Sequence, residues 1–353
     1  MKIAFYAPMN APDDGPPSGD RLIAQQLING LEDLGHEVEI ASRLKTWSSN
    51  PEALPDLRES AALEVSRLHA APFDAWFTYH VYYKSPDLIG PWVARARGIP
   101  YFIAEGSLST KRLEGPWAEH YAAAREAMSI AARIFCISQR DRPALEEAGF
   151  SSKLVDLAPW IETSAWTHPR SKPGDGPIRL VTTAMMREGD KLESYQLIAK
   201  SLPLLPCDWQ LIIFGDGPAK EKIEKLFKNH KGQVTFAGAV DPFTLAGAYA
   251  EADLFVWPGI GEGLGMAYLE AQAAGLPCIA CNGPGPQDAM DDTSARFTQD
   301  TPAAFAWAIT DLAQSAARRE TMGKAARRLV ATRFSKERYL HTLKGSIHLT
   351  GND

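Results

Sequence analysis

The sequence predicts an α/β protein made of two doubly wound, parallel-sheet domains. Three observations carry this prediction. Apolar runs of strand length alternate with amphipathic segments of helix length, the pattern of repeated βαβ units. The alternation breaks at residues 159–177, which are rich in Pro, Ser, Gly and Thr, and then starts again, as at an interdomain linker. The chain is 353 residues long, more than one core usually needs and natural for two domains.

The elements follow in order. Residues 2–7 read as a first strand, followed by a Gly/Pro loop and a helix from near Asp20 to about Leu34. Gly35 stops that helix, and residues 37–41 form the next strand. Further strands are expected at 75–78, 100–104 and 133–137, with helices at about 57–69, 86–97 and 116–131. Past the linker, strands are expected at 178–184, 209–214, 234–236, 254–257 and 278–280. Helices fill the gaps, and three more run from about 302 to 348. The domains are therefore drawn at 1–165 and 175–334.

Bulk properties narrow the function classes. At 45% hydrophobic and 23% charged residues, the composition is that of an ordinary globular protein. No apolar run approaches the eighteen or so residues of a membrane span. The N-terminus lacks the long apolar region and small-residue cleavage site of a secretory signal. This places the chain in the cytoplasm, either free or peripheral at the inner membrane face. The net charge is −6, and the acidic excess lies in the first 165 residues. That argues against nucleic acid and against purely electrostatic docking on an anionic membrane. Segment 43–55, with Trp47, reads either as a membrane contact or as cover for the core. Four cysteines make no disulfide framework in a chain this long. Cys278 and Cys281 have redox spacing, but they lie in an apolar strand, where Cys acts as a small hydrophobe. No His/Cys/Asp group has metal-ligand spacing, so neither metal nor cofactor is expected.

The most informative stretch runs Glu262-Gly263-Leu264-Gly265-Met266-Ala267-Tyr268-Leu269-Glu270. An apolar strand leads into it, and a small-residue helix and the exit Gly275-Leu276-Pro277 follow. Glu262 then stands just before a helix N-terminus and Glu270 inside the helix. A helix N-terminus favours anions, because free N–H groups and the dipole both attract negative charge. Eight helical residues rise about 12 Å, on the order of the span from a ribose to a diphosphate-linked sugar. The arrangement suits a sugar nucleotide, with the diphosphate on the turn and a carboxylate at each end holding hydroxyls.

These residues resemble the E-x7-E motif of retaining glycosyltransferases of the GT-B fold, in particular family 4 (group 1). Both glycines, the leading strand, Leu269-Glu270-Ala271, and Gly275, Pro277 and Ile279-Ala280 all match that pattern. The resemblance implies two Rossmann-like domains facing a central cleft, with a last helix, about 335–350, crossing back to the N-terminal domain. It implies transfer of a hexose from a UDP- or GDP-linked donor to an acceptor hydroxyl of a glycan, glycolipid or small molecule, without a metal. Glu270 would bind ribose and Glu262 the donor sugar, with the amides of Gly263, Leu264 and Gly265 lining sugar and phosphate. Arg187 and Lys191 match a cation pair that clamps the donor diphosphate, although they stand four residues apart where five is usual. Gly215 and Gly217 match a nucleotide-lining element, and glycines at a strand's carboxyl end let a ligand approach backbone. Gly19 belongs to a glycine loop expected to close over the donor, where Ser18 or Asp20 would equally serve as a helix cap. Gln287 stands where the family often has Glu, in a loop read first as structural. His80 and Glu105 end strands on the acceptor side. The family's histidine falls at position 105, where this chain has Glu. The run Tyr79, Tyr82, Tyr83 offers an aromatic acceptor platform. The acceptor and the oligomeric state are left open.

Two other functions compete with this reading. One is a glycoside hydrolase with Glu262 and Glu270 as acid and base, which needs carboxyls about 5–10 Å apart. The other is a non-catalytic nucleotide-sugar sensor of the same fold.

Overall fold

The computed structural model describes residues 1–14, 19–171, 176–230 and 232–347. The Gly/Pro loop at 15–18, with Ser18, the linker residues 172–175 and His348 lie outside the described residues. The chain divides into two compact units, Met1–Trp160 with Glu337–Asp353, and Ile161–Lys336. Each holds one six-stranded sheet, and the pairings between named strands are all parallel. The architecture is the α/β chain of two doubly wound parallel-sheet units that the sequence predicts.

The first unit contains β1 (Lys2–Tyr6), β2 (Glu37–Ser42), β3 (Ala75–Val81), β4 (Tyr101–Gly106), β5 (Arg133–Cys136) and β6 (Leu154–Asp156). Its helices are α1 (Gly19–Asp33), α2 (Leu54–Leu68), α3 (Gly90–Arg97), α4 (Ala118–Ile130) and α5 (Arg142–Glu147). The strand order is β2-β1-β3-β4-β5-β6. Alternate residues of each strand feed opposite cores, as the two-residue period of a strand requires. Ile3, Phe5, Phe77, Phe102 and Phe135 pack on one face with Leu27 and Leu31 of α1. Tyr6, Trp76, Ile103 and Ile134 pack on the other with Leu54, Val93 and Ala124 of the remaining helices. A sheet buried on both faces needs nearly continuous apolar strands, and this is why these runs are legible.

Buried Asp87 sets the start of α3. Its carboxylate accepts from the N–H groups of Ile89 and Gly90, at 2.9 and 2.8 Å, and from the hydroxyls of Thr78 and Tyr101. The helix expected from residue 86 therefore begins at Gly90. Gly90 has no substitute there, because a Cβ would stand 2.3 Å from the Trp76 indole nitrogen.

The second unit contains β7 (Ile178–Thr183), β8 (Trp209–Phe214), β9 (Val234–Gly238), β10 (Leu254–Val256), β11 (Cys278–Cys281) and β12 (Ala295–Thr298). Its helices are α6 (Asp190–Ser201), α7 (Lys220–Leu226), α8 (Pro242–Glu251), α9 (Met266–Ala273), α10 (Pro284–Ala289), α11 (Pro302–Ala313) and α12 (Ala316–Arg333). The strand order is β12-β11-β10-β7-β8-β9. Each sheet thus reverses direction once, between β1 and β3 in the first unit and between β10 and β7 in the second. Doubly wound sheets bind ligands outside the carboxyl ends of the strands at such a switch point.

The last helix, α13 (Lys336–Ile347), puts Tyr339, Leu343 and Ile347 into the α1 face of the first unit's core. Gly30 of α1 leaves room for it, since a Cβ there would approach the Tyr339 ring to 2.7 Å. Leu343 is fully buried. Leu343→Ala is therefore expected to destabilise the first unit by about 2–5 kcal/mol, the usual cost of such a cavity. Denaturant unfolding followed by circular dichroism would show it as an earlier transition of that unit, with the second unit unchanged.

Candidate functional site

In the second unit, the loops after β7 and β10 meet at the switch point. Glycine makes the approach close: a Cβ on Gly261, whose φ is +66°, would stand 2.0 Å from an Asp190 carboxylate oxygen. The Ile260 N–H also donates to Ser194 Oγ at 3.1 Å. This contact brings the first turn of α6 against the loop that carries Glu262. There the Lys191 ammonium pairs with Glu262 Oε1. The same oxygen accepts from the Trp257 indole N–H at 3.0 Å, and Lys191 lies 5.3 Å from the centre of the Trp257 ring. Tyr195 packs edge-on against that ring at 5.0 Å, and its hydroxyl donates to the Ala184 carbonyl. Trp257 and Tyr195 are thus parts of the site that the sequence reading missed. Their only signal was aromatic character in apolar segments, which looks the same as core.

Glu262 precedes α9, and Gly265 at that helix's N-terminus takes a left-handed φ of +84° without a side-chain cap. Among the described residues, the N–H groups of Gly263, Leu264 and Gly265 donate to no protein acceptor. Glu270 lies within α9. Among the described residues its carboxyl has neither hydrogen bond nor ion pair, and burial pushes its pKa up to about 7. Arg187 is exposed on the turn before α6 and is not drawn into the Lys191–Glu262 pair. Among the described residues the arrangement therefore offers free amides, an unpaired guanidinium, a paired ammonium and a carboxyl that lacks a donor.

Gly215 and Gly217 also brace the turn that leads to Arg187. A Cβ on Gly215 would meet the Ala184 carbonyl at 2.0 Å, and one on Gly217 the Met186 carbonyl at 2.4 Å. What approaches these glycines is the backbone that leads to Arg187, held by the Met186 N–H to Asp216 carbonyl bond at 2.9 Å. They position the turn that carries Arg187. The segment expected as a loop around Gln287 is instead the start of α10, and it has a similar packing role. A Cβ on Gly285 would stand 2.3 Å from the Glu262 carbonyl, while the Gln287 side chain is exposed.

In the first unit, His80 and Glu105 are the last residues but one of β3 and β4. They are sheet neighbours, because Tyr79 pairs with Ala104 and Val81 with Gly106. Among the described residues they are also the two non-glycine positions with positive φ, +64° and +60°. Such backbone costs of order 1–3 kcal/mol and gathers at functional sites. His80 Nδ1 lies 2.7 Å from Asp20 Oδ1. Burial acts to lower the His80 pKa, but Glu105 and the Asp20 hydrogen bond outweigh it and hold the pKa above the ordinary value. Asp20 thus partners His80. Gly19 opens α1, with no neighbour near its Cβ position.

Cys278 and Cys281 are buried free thiols, and burial pushes the Cys281 pKa up to about 11, far from redox chemistry. Among the described residues no group of three His, Cys, Asp or Glu is arranged to hold a metal. None of the described helices is long and apolar enough to cross a membrane.

The Glu270 carboxyl has a consequence for stability. Its folded pKa of about 7 exceeds the ordinary 4.5, so the folded state holds the proton more tightly. Stability from this group is full below 4.5 and falls as pH rises through about 7. Glu270→Gln is expected to raise the melting temperature of the unliganded protein at pH 8 and to leave it nearly unchanged at pH 4.5. Melting curves at the two values check this.

Residues 178–315 match the family model of glycosyl transferases group 1. A sulfoquinovosyl transferase of Arabidopsis thaliana is 31% identical over 176 residues, 45% of this chain, and the chain spans only 34% of that protein's length. A D-inositol 3-phosphate glycosyltransferase of an Arthrobacter species is 26% identical over 380 residues, covering 92% of this chain and 90% of the relative. Among solved structures, the sucrose-phosphate synthase of Thermosynechococcus elongatus superposes with a TM-score of 0.74 at 18% identity, covering 98% of each chain. That last likeness is one of fold. The chain carries a glycosyl transferases group 1 domain on a GT-B fold.

Proposed function

We propose that this chain is a retaining glycosyltransferase that moves a hexose from a UDP- or GDP-linked donor to an acceptor hydroxyl. The observation that carries the reading is the carboxylate pair around the free N-terminus of α9. Glu262 is held by Lys191 and Trp257, while the half-buried Glu270 carboxyl has no donor among the described residues. A ribose diol would supply the missing donors to Glu270. The donor diphosphate would meet the free amides of Gly263, Leu264 and Gly265 and the free cation of Arg187.

Charge decides what each residue does. Departure of a nucleoside diphosphate builds negative charge, and fixed cations aimed at it stabilise that charge most effectively. Arg187 and Lys191 would fill this role, so no metal is invoked. As the phosphate approaches, Lys191 would turn from Glu262 towards it. Glu262 would then be free to accept from hydroxyls of the donor sugar. No side chain is assigned as a nucleophile. Retention would follow a same-face path in which the departing phosphate takes the proton of the acceptor hydroxyl. A hydrolase reading gives Glu270 the raised pKa of a general acid. It leaves the Arg187 and Lys191 cations without a task.

Four measurements test the proposal. UDP or GDP should raise the melting temperature of the full chain, and no shift with either would sink the reading. Glu270→Ala should weaken nucleotide binding by at least tenfold, the cost of a lost hydrogen bond to a charged group; unaltered affinity in calorimetry would remove the ribose role. Lys191→Ala should lower sugar transfer by about 10²–10³-fold, as when one transition-state donor is deleted. Donor turnover in the presence of acceptor separates a transferase from a sensor.

A further inference from the structure

The first unit carries a surface that the donor chemistry does not use. Four loops at the carboxyl ends of its strands are joined there by their backbones. Thr46 N–H donates to the Pro8 carbonyl, Ser48 N–H to the Lys84 carbonyl and Ser107 N–H to the Val81 carbonyl, each at 2.9 Å. On this frame stands a continuous file of rings. His80 contacts Tyr82 at 5.3 Å between centroids, Tyr82 contacts Tyr83 at 5.6 Å, and Tyr83 contacts Trp117 at 5.2 Å. Trp47 joins from the side, its indole N–H donating to the Tyr82 hydroxyl at 2.9 Å. Segment 43–55 is thus tied to this file through Trp47. Tyr82, Tyr83 and Trp117 are only half-buried, so part of each remains open to a ligand.

Three cations lie on these rings. Arg112 sits 4.8 Å from the centre of Tyr83, Lys84 lies 5.8 Å from Trp117, and Lys45 lies 5.3 Å from Trp47. Among the described residues none of the three is paired with a carboxylate, although this half of the chain holds the acidic excess. Unpaired cations in an acidic domain leave a local positive potential that an anion would satisfy. Aromatic faces suit the apolar faces of a sugar ring. At the other end of the file, the carboxylates of Asp20 and Glu105 flank His80 and offer acceptors for hydroxyls.

We propose that this ring-and-cation file binds the acceptor, and that the acceptor is an anionic sugar: a hydroxylated ring bearing a phosphate or carboxylate. The proposal rests on the transferase reading for the word acceptor, but the anion preference stands on these residues alone. Hydroxyls of the ring meet Asp20, His80 and Glu105, the ring lies on Tyr82 and Tyr83, and the anion meets Lys84 and Arg112. The anionic ring comes either as a free sugar or as a lipid headgroup.

Calorimetry on the full chain, in saturating UDP or GDP to close the donor site, tests this with glucose 6-phosphate, glucuronate and glucose. The charged sugars should bind at least tenfold more tightly than glucose. Lys84→Gln with Arg112→Gln should abolish that preference while nucleotide affinity stays as it is. Equal affinity for charged and uncharged sugars, binding of none of them, or a preference that survives in the double variant would each overturn the proposal. Vesicles of phosphatidylcholine with and without phosphatidylinositol separate the two sources. Retention that needs phosphatidylinositol and is lost in the double variant supports a headgroup, and solution binding without retention supports a free sugar. The two readings fail separately. A chain that binds neither nucleotide yet prefers charged sugars refutes the transferase and keeps the anion site. A chain that binds nucleotide but shows no charge preference does the reverse.

Discussion

Parallel strand pairing is the constraint from which the rest of this molecule follows. A parallel neighbour cannot be reached by a tight turn, so each strand is followed by a crossover that returns the chain to its starting edge. All strands of a sheet then end on one side, and every loop that leaves a strand's carboxyl end collects there. Within the second unit this gathers Lys191 and Glu262, seventy-one residues apart in sequence, into one ion pair. Within the first it gathers Asp20 and His80, sixty residues apart. Neither pair needs a special device to bring it together; the winding of the sheet does so.

What the winding does not supply is closeness, and glycine supplies it. Gly261, Gly215, Gly217 and Gly285 each sit where a Cβ would collide with backbone or carboxylate of a neighbouring loop. The loops of the second unit therefore touch one another closely at these four points. Their functional side chains stand on a rigid base, which electrostatic stabilisation of a developing charge requires.

The parts that were legible in the sequence share one property: their pattern is local. Apolar runs such as Leu254–Val256 and Cys278–Cys281 show as strands because both faces of the sheet are buried. The Glu262-to-Glu270 stretch shows because its turn, helix and exit follow one another along the chain. Leu154–Asp156 and Ala295–Thr298 are edge strands that are only partly buried, so they carry no continuous apolar run and escape notice in the sequence. The partners of Glu262 and His80 were hidden for a different reason. An ion pair across two loops leaves no trace in spacing, and Trp257 reads as one more core aromatic until its N–H is seen on Glu262. The glycines at 215 and 217 were noticed, but sequence does not say whether ligand or backbone comes close.

His80 and Glu105 bear on how this protein would respond to engineering. Left-handed backbone is easiest for glycine and costs any residue that carries a Cβ, His80 and Glu105 included. A search for thermal robustness would pick both positions first and would gain by replacing them with glycine. Each such gain would remove the imidazole or the carboxylate that the strain holds in place beside Asp20 and the file of rings. Ruggedness and recognition are thus in direct competition at two adjacent strand ends, and selecting variants by melting temperature alone would drift toward a sturdier protein with an emptied surface.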